Sequence, residues 1–203
     1  MGDAVDEMIS ALRAGRPVLL PTDTVYGLAV GADRAEPAAR LYRLKGRSQD
    51  QPSALLAPDF DALVVRVPEL RGRSETIARV LLPGPYTLVL PNPAARYPWL
   101  TGNRPDAIGV RVPNLPPAAA RVLAAVGCVL ATSANEPGGP DPISLVDVPD
   151  RIRAAVGAEL DVGPLPGTPS TVLDFTGAQP VVIREGAGAA AEALERVRAA
   201  LPA

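Results

Sequence analysis

The sequence predicts an α/β domain, and three observations carry that expectation. Helix-like and strand-like segments alternate along the 203 residues, the order that builds a sheet with helices packed on it. Hydrophobic residues make up 47% of the chain, enough to bury a sizeable core in one domain of this length. The 24 prolines fall mostly at segment ends, where they punctuate elements instead of breaking them.

The elements follow in order. Ala4 to Arg13 reads as a helix, with Asp3 as its N-cap and Gly15 just past its end. Pro17 to Leu20 is a short apolar strand that runs into a polar loop from Pro21 to Gly27. Ala35 to Lys45 is a helix ended by Gly46, Ser53 to Ala57 a strand, and Glu69 to Leu82 a helix stopped by Pro83-Gly84-Pro85. Strands are expected at Tyr86 to Leu90, Ala107 to Val112 and Cys128 to Ala131, with a helix from Pro117 to Val126. Glu136 to Pro142 is a Gly/Pro-rich loop and Asp150 to Val156 a short helix. Thr171 to Asp174 and Val181 to Arg184 close the sheet, followed by an Ala-rich helix from Ala189 to Ala200. No internal repeat and no shift of composition divides the chain, so residues 1–203 are expected to form a single domain.

Composition narrows the chemistry. Net charge is −2, which gives no overall pull toward nucleic acid, and aromatic residues are only 3%, too few for a base-stacking stripe. The apolar runs are too short for a membrane-spanning helix. The first 15 residues carry Asp3, Asp6 and Glu7 where a signal peptide would carry basic residues and an apolar run. The chain has no histidine and one cysteine, so a Ser-His-Asp triad, a Cys-His pair, an imidazole metal site and an intrachain disulfide are excluded. A cytoplasmic location is expected on that basis. Cys128, in the run Cys128-Val129-Leu130-Ala131, reads as a buried structural thiol. Neither the P-loop pattern nor Gly-x-Gly-x-x-Gly is present.

What remains is a set of cations and hydroxyls after apolar strands. Leu19-Leu20 runs into Pro21-Thr22-Asp23-Thr24, Ile108-Gly109-Val110 into Arg111, Val129-Leu130-Ala131 into Thr132-Ser133-Ala134-Asn135, and Val181-Val182-Ile183 into Arg184. Ligands of α/β sheets collect at the carboxyl ends of strands, so these ends are expected to meet at one sheet edge. Solvated polar strand ends are the other reading. Lys45-Gly46-Arg47 closes a helix, where basic residues also suit the macrodipole. As an anion site, its point charge and planar fork match a polyphosphate. Both side chains are expected at an exposed helix end. Asp23 is read as structural, as an aspartate in a turn that bonds backbone amides.

Seven segments together resemble the YrdC/TsaC family of threonylcarbamoyl-AMP synthases. They are Pro21-Thr22-Asp23-Thr24-Val25-Tyr26-Gly27-Leu28, Lys45-Gly46-Arg47, Pro83-Gly84-Pro85-Tyr86-Thr87, Ile108-Gly109-Val110-Arg111-Val112-Pro113, Ala131-Thr132-Ser133-Ala134-Asn135, Ser170-Thr171-Val172 and Ile183-Arg184-Glu185-Gly186. The resemblance implies a three-layer α/β fold, a strongly twisted mixed sheet flanked by helices with a large concave cavity. The chain resembles the short form of the family, without an appended C-terminal domain.

The resemblance further implies condensation of L-threonine, bicarbonate or CO2, and ATP with Mg2+ to threonylcarbamoyl-AMP and pyrophosphate. A TsaD-type transferase would then pass the group to adenosine 37 of tRNA, which leaves room for a weak direct contact with RNA. By the same resemblance the signature residues are Lys45, Arg47, Ser133 and Asn135. Lys45, Arg47, Asn135 and Arg184 would face ATP, while Thr24, Arg111, Ser133 and Ser170 would hold threonine. No residue is assigned as a metal ligand, Mg2+ being expected on the ATP phosphates.

The sequence departs from the family pattern at Ser48 and Gln51-Pro52-Ser53, where Pro and Lys-Pro-Leu are common, at Ala107 in place of threonine, and at Ile143 in place of a hydroxyl residue. A YciO-like paralogue, a non-catalytic RNA- or ribosome-binding module and a sugar-phosphate enzyme are the competing readings. Such paralogues tend to lose the lysine or the Ser-x-Asn pair, and both are intact here.

Overall fold

A computed structural model describes residues 2–201. Its elements are α1 (Gly2–Arg13), β1 (Val18–Pro21), β2 (Tyr26–Gly31), α2 (Ala35–Lys45), β3 (Ala54–Leu56), α3 (Phe60–Arg66), α4 (Arg73–Leu81), β4 (Tyr86–Pro91) and α5 (Pro98–Thr101). Then come β5 (Ala107–Arg111), α6 (Pro117–Val126), β6 (Val129–Ser133), α7 (Asp150–Arg153), β7 (Ala158–Glu159), β8 (Thr171–Asp174), β9 (Val181–Arg184) and α8 (Ala190–Ala200). The strands form one nine-stranded mixed sheet in the order β7-β1-β2-β6-β3-β5-β4-β8-β9.

Alternation of side chains along the strands divides the molecule into three layers. On one face Leu19, Leu28, Val30, Leu55, Leu130, Val110, Leu88 and Leu173 pack under α2, α4 and α8, with Leu41, Tyr42, Ile77, Leu81 and Val197 supplying the helical side. On the other face Val18, Leu20, Ala29, Leu56 and Val129 meet Val5, Met8 and Leu12 of α1 and Val122 and Leu123 of α6. Each such side chain, fully buried, contributes roughly 1.5–3 kcal/mol before conformational entropy is subtracted. The floor of the main cavity lies on this second face, where α1 and α6 leave β5, β4 and β8 uncovered.

Local chemistry explains the helix ends. Gly46 takes the left-handed conformation at φ 66° and returns its N–H to Arg43 and Tyr42, closing α2 after Lys45. Asp59 caps α3 by accepting from the Ala62 N–H at 2.7 Å.

Several expectations are corrected. Asp3 lies inside the first turn of α1 and is not its N-cap. The loop expected from Pro21 to Gly27 ends at Val25, because Tyr26–Gly31 is a central strand paired on both sides. Its two glycines hide it, since glycine weakens a strand signal. The helix expected from Glu69 to Leu82 starts only at Arg73, after Gly72, and α3 precedes it. The helix from Asp150 ends at Arg153. Strand β6 begins after Cys128 and runs on to Ser133, so Thr132 and Ser133 belong to the strand.

Candidate active site

The four polar strand ends do not share one edge. β1 and β6 both run antiparallel to β2, whereas β5 lies parallel to β3, which is antiparallel to β6. The ends of β1 and β6 therefore point opposite to that of β5. What gathers the side chains is the face. A cavity of about 430 Å3 is floored by alternate residues of neighbouring strands, Ala131 and Ser133, Ala54 and Leu56, Ala107, Gly109 and Arg111, Thr87 and Val89. The edge rule belongs to parallel α/β sheets, and this sheet is mixed. The segment between β7 and β8 closes one side, as Leu165 N–H donates to the Ile143 carbonyl at 2.7 Å and Gly167 N–H to the Thr24 carbonyl at 2.9 Å.

At one end of the cavity stands Arg111, whose side chain is only 8% exposed against 11% for its partner Asp23. Its Nη2 donates to the Asp23 carboxylate and, at 3.0 Å, to Thr24 Oγ1. Thr24 in turn touches Thr22 Oγ1 at 3.0 Å. The second Asp23 oxygen accepts from the Asn114 N–H at 3.1 Å, so Asp23 bonds a backbone amide remote in sequence and holds the guanidinium as well. Arg184 donates to the Ser170 carbonyl at 2.7 Å and to its hydroxyl at 3.3 Å, and Ser170 Oγ lies 2.8 Å from Thr87 Oγ1. Burial pulls Arg111 below the usual arginine range, Asp23 opposes that fall and Arg184 adds to it. The structure thus brings Thr24, Arg111, Ser170 and Arg184 together.

The other end is built on α2 and the residues after β6. Arg47 lines the cavity, donating to Thr132 Oγ1 at 3.1 Å and to the Pro52 carbonyl at 2.5 Å. Ser133 lines it too, and its hydroxyl donates to Asn135 Oδ1 at 2.8 Å. Lys45 and Asn135 stand behind this wall and do not line the cavity. Lys45 is 3% exposed, which corrects the expectation of an exposed helix end. Its ammonium donates to the Ser133 carbonyl at 2.7 Å and to both the main-chain and side-chain oxygens of Asn135. An ammonium has three protons, and all three are taken. Asn135 completes the bracket by donating to the Gly139 carbonyl at 2.6 Å. Burial, with Arg47 adding to it, pulls Lys45 down to about 8 against the opposing pull of Asp141 and Glu136.

Arg104 also lines the cavity and was not marked by the sequence, while Thr22, Thr87 and Thr132 line it as members of the quoted segments to which no role was given. Arg104 is paired with Asp174 at 2.8 Å and sits in a turn with no motif to mark it. Among the described residues no carboxylate lines the cavity. Of its four arginines, Arg104 and Arg111 have carboxylate partners, while Arg47 and Arg184 bond only neutral oxygens. The Nε atoms of Arg47 and Arg111 are buried without a partner among the described residues. Such a cavity suits a ligand with several negative charges. Cys128 is elsewhere, buried, its thiol pushed up to about 11 by burial. Among the described residues no cluster of metal-ligating side chains occurs and no helix is long and apolar enough to cross a membrane.

The family model named for Sua5, YciO and YrdC, described as "Telomere recombination", matches residues 10–186. The chain belongs to this Sua5/YciO/YrdC family. A threonylcarbamoyl-AMP synthase of Escherichia coli O1:K1 / APEC is 35% identical over 166 residues, covering 80% of this chain and 84% of the relative. Among solved structures, P. abyssi Sua5 complexed with L-threonine superposes with a TM-score of 0.85 at 31% identity, over 97% of this chain and 58% of that one. Escherichia coli YciO superposes with a TM-score of 0.82 at 26% identity, over 93% of this chain and 92% of that one. This chain therefore spans less than two thirds of the P. abyssi protein and nearly the whole of YciO. The twisted mixed sheet flanked by helices is the fold of the Sua5/YciO/YrdC family, and Lys45, Arg47, Ser133 and Asn135 form one connected corner of it.

Proposed function

We propose that this chain, as a single domain acting in the cytoplasm, condenses L-threonine, inorganic carbon and ATP into threonylcarbamoyl-AMP and pyrophosphate. The observation that carries this reading is one cavity with two unlike polar ends and no acidic lining. It is supported by the curated relatives named threonylcarbamoyl-AMP synthase and by the likeness to a structure complexed with L-threonine.

In this reading Arg111, fixed by Asp23, pairs with the carboxylate of threonine. Thr24 and Ser170 bond the amino acid's polar atoms. Arg47 takes the phosphates of ATP, and Ser133 bonds at the same end. Lys45 acts at one remove: it holds the Ser133–Asn135 turn in place and adds positive charge behind the phosphates. Arg184 stands on the Arg111 side, so its reach is to the α-phosphate where the two substrates meet. The chemistry needs positioning and charge neutralisation more than a strong base. Mg2+ is normally held by carboxylates together with phosphates, and the lining offers no carboxylate. It would therefore enter as part of the metal–nucleotide substrate, and no step here depends on it. The product would pass to a TsaD-type transferase acting on tRNA.

A pH dependence follows from Lys45. Its charge is present below about 8 and lost above it, and a bound polyphosphate favours the charged form. ATP affinity is therefore expected to fall as pH rises through about 8, and ATP binding at pH 8–9 should take up a proton. Calorimetry in buffers of different ionisation enthalpy checks both. Affinity that is flat across this range in the wild type would remove Lys45 from the phosphate end, and no ATP binding at any pH would sink the synthase reading.

A further inference from the structure

The middle of the cavity floor is apolar. The register sets Ala131 beside Ala54, Ala54 beside Gly109 and Gly109 beside Val89, and all four line the cavity. Four neighbouring strands thus present a row without one polar side-chain atom. These strands lie inside the sheet with a neighbour on each side, so their backbone N–H and C=O groups are committed to the ladder. Polar groups resume two residues away in each direction, Arg111 and Thr87 on one side and Ser133 on the other, roughly 7 Å along the strands. The apolar row therefore lies between the end assigned to threonine and the end assigned to the phosphates, where the carbon must join the amine.

Resting on the synthase reading above, we propose that the carbon enters as CO2 seated on this row, and not as bicarbonate. An uncharged, apolar molecule loses little on leaving water for such a surface. Bicarbonate would give up its hydrogen bonds with none in return. The step balances without a protein acid. The lone pair of threonine's neutral amine forms the N–C bond, one C=O electron pair moves to oxygen, and the amine proton leaves to water, giving a carbamate. A carbamate oxygen then forms the bond to the α-phosphorus as the bond to pyrophosphate breaks. Bicarbonate would instead have to lose its hydroxyl as water, which needs a proton donor at the carbon. The side chains around the row are arginines, threonines and serines, none of which is an acid at neutral pH. The arginines also favour the uncharged amine that attacks CO2.

The test uses the whole chain with ATP and L-threonine, started in the cold with either dissolved CO2 or bicarbonate, and quenched rapidly for threonylcarbamoyl-AMP. The expected result is immediate product from CO2 and a lag from bicarbonate that carbonic anhydrase abolishes. Immediate product from bicarbonate, with a lag from CO2, overturns the assignment while leaving the synthase intact. No product even from an equilibrated mixture overturns both. Val89→Thr, which keeps the shape and adds a hydroxyl to the row, should raise the half-saturating CO2 concentration several-fold with the KM values for ATP and threonine unchanged. An unchanged requirement for CO2, or an equal loss toward all three substrates, contradicts the seating on this row.

Discussion

Arg47→Ala is expected to lower kcat/KM for ATP by about two to three orders of magnitude, with the fold intact. Arg47 is the cation at the phosphate end that reaches the cavity with neutral partners only and with a buried, unpartnered Nε. Removing one such donor from a developing charge typically costs about 3–4 kcal/mol in the transition state. The stability lost is smaller, since the variant gives up hydrogen bonds to one hydroxyl and one carbonyl, about 1–3 kcal/mol. Arg47→Lys should recover part of the activity, because it keeps the charge and loses the fork. Steady-state kinetics together with calorimetric unfolding measure both quantities. Activity that survives Arg47→Ala would place the phosphates elsewhere. Lys45→Ala is a poorer probe of binding, because it removes the ammonium that ties the Ser133 carbonyl to both oxygens of Asn135 and so disturbs the wall itself.

Asp23→Ala should destabilise the protein by about 3–5 kcal/mol, the cost of leaving a buried guanidinium without its counter-ion. In a domain of this size that is a fall of roughly 10 °C in Tm. The two side chains are almost wholly buried, so solvent screening offers little relief. L-threonine should then stabilise the variant more than the wild type, since its carboxylate would replace the one removed. Thermal unfolding with and without L-threonine reads the difference. A variant whose Tm is unchanged would mean that Arg111 does not depend on Asp23. A variant that L-threonine fails to stabilise would separate Arg111 from the amino acid.

Helices α2 and α6 and strands β8 and β9 were legible residue for residue; Gly46 closes α2, Pro117 and Gly127 bound α6, and Pro180 precedes β9. Strand β2 was not, as polar motif residues run up to its start and its two glycines interrupt the apolar pattern. Thr24, Arg111, Ser133, Asn135 and Arg184 were found as strand-end polar groups, Lys45 and Arg47 at a helix end and Ser170 through the family resemblance, yet their arrangement was not. Strand direction depends on pairings between segments far apart in sequence, so the expected shared edge gave way to a shared face. The partner of Arg111, 88 residues away, and the inward position of Lys45 are likewise products of tertiary packing. Arg104 carries no local signal because its partner Asp174 is 70 residues distant.

The most direct test is pyrophosphate release from ATP by the purified chain, with and without L-threonine and inorganic carbon, with mass analysis of the products. Release that requires both and yields the mass of threonylcarbamoyl-AMP is the result expected. Absence of release from the folded chain, with all three substrates present, would contradict the account and leave the cavity to another anionic ligand.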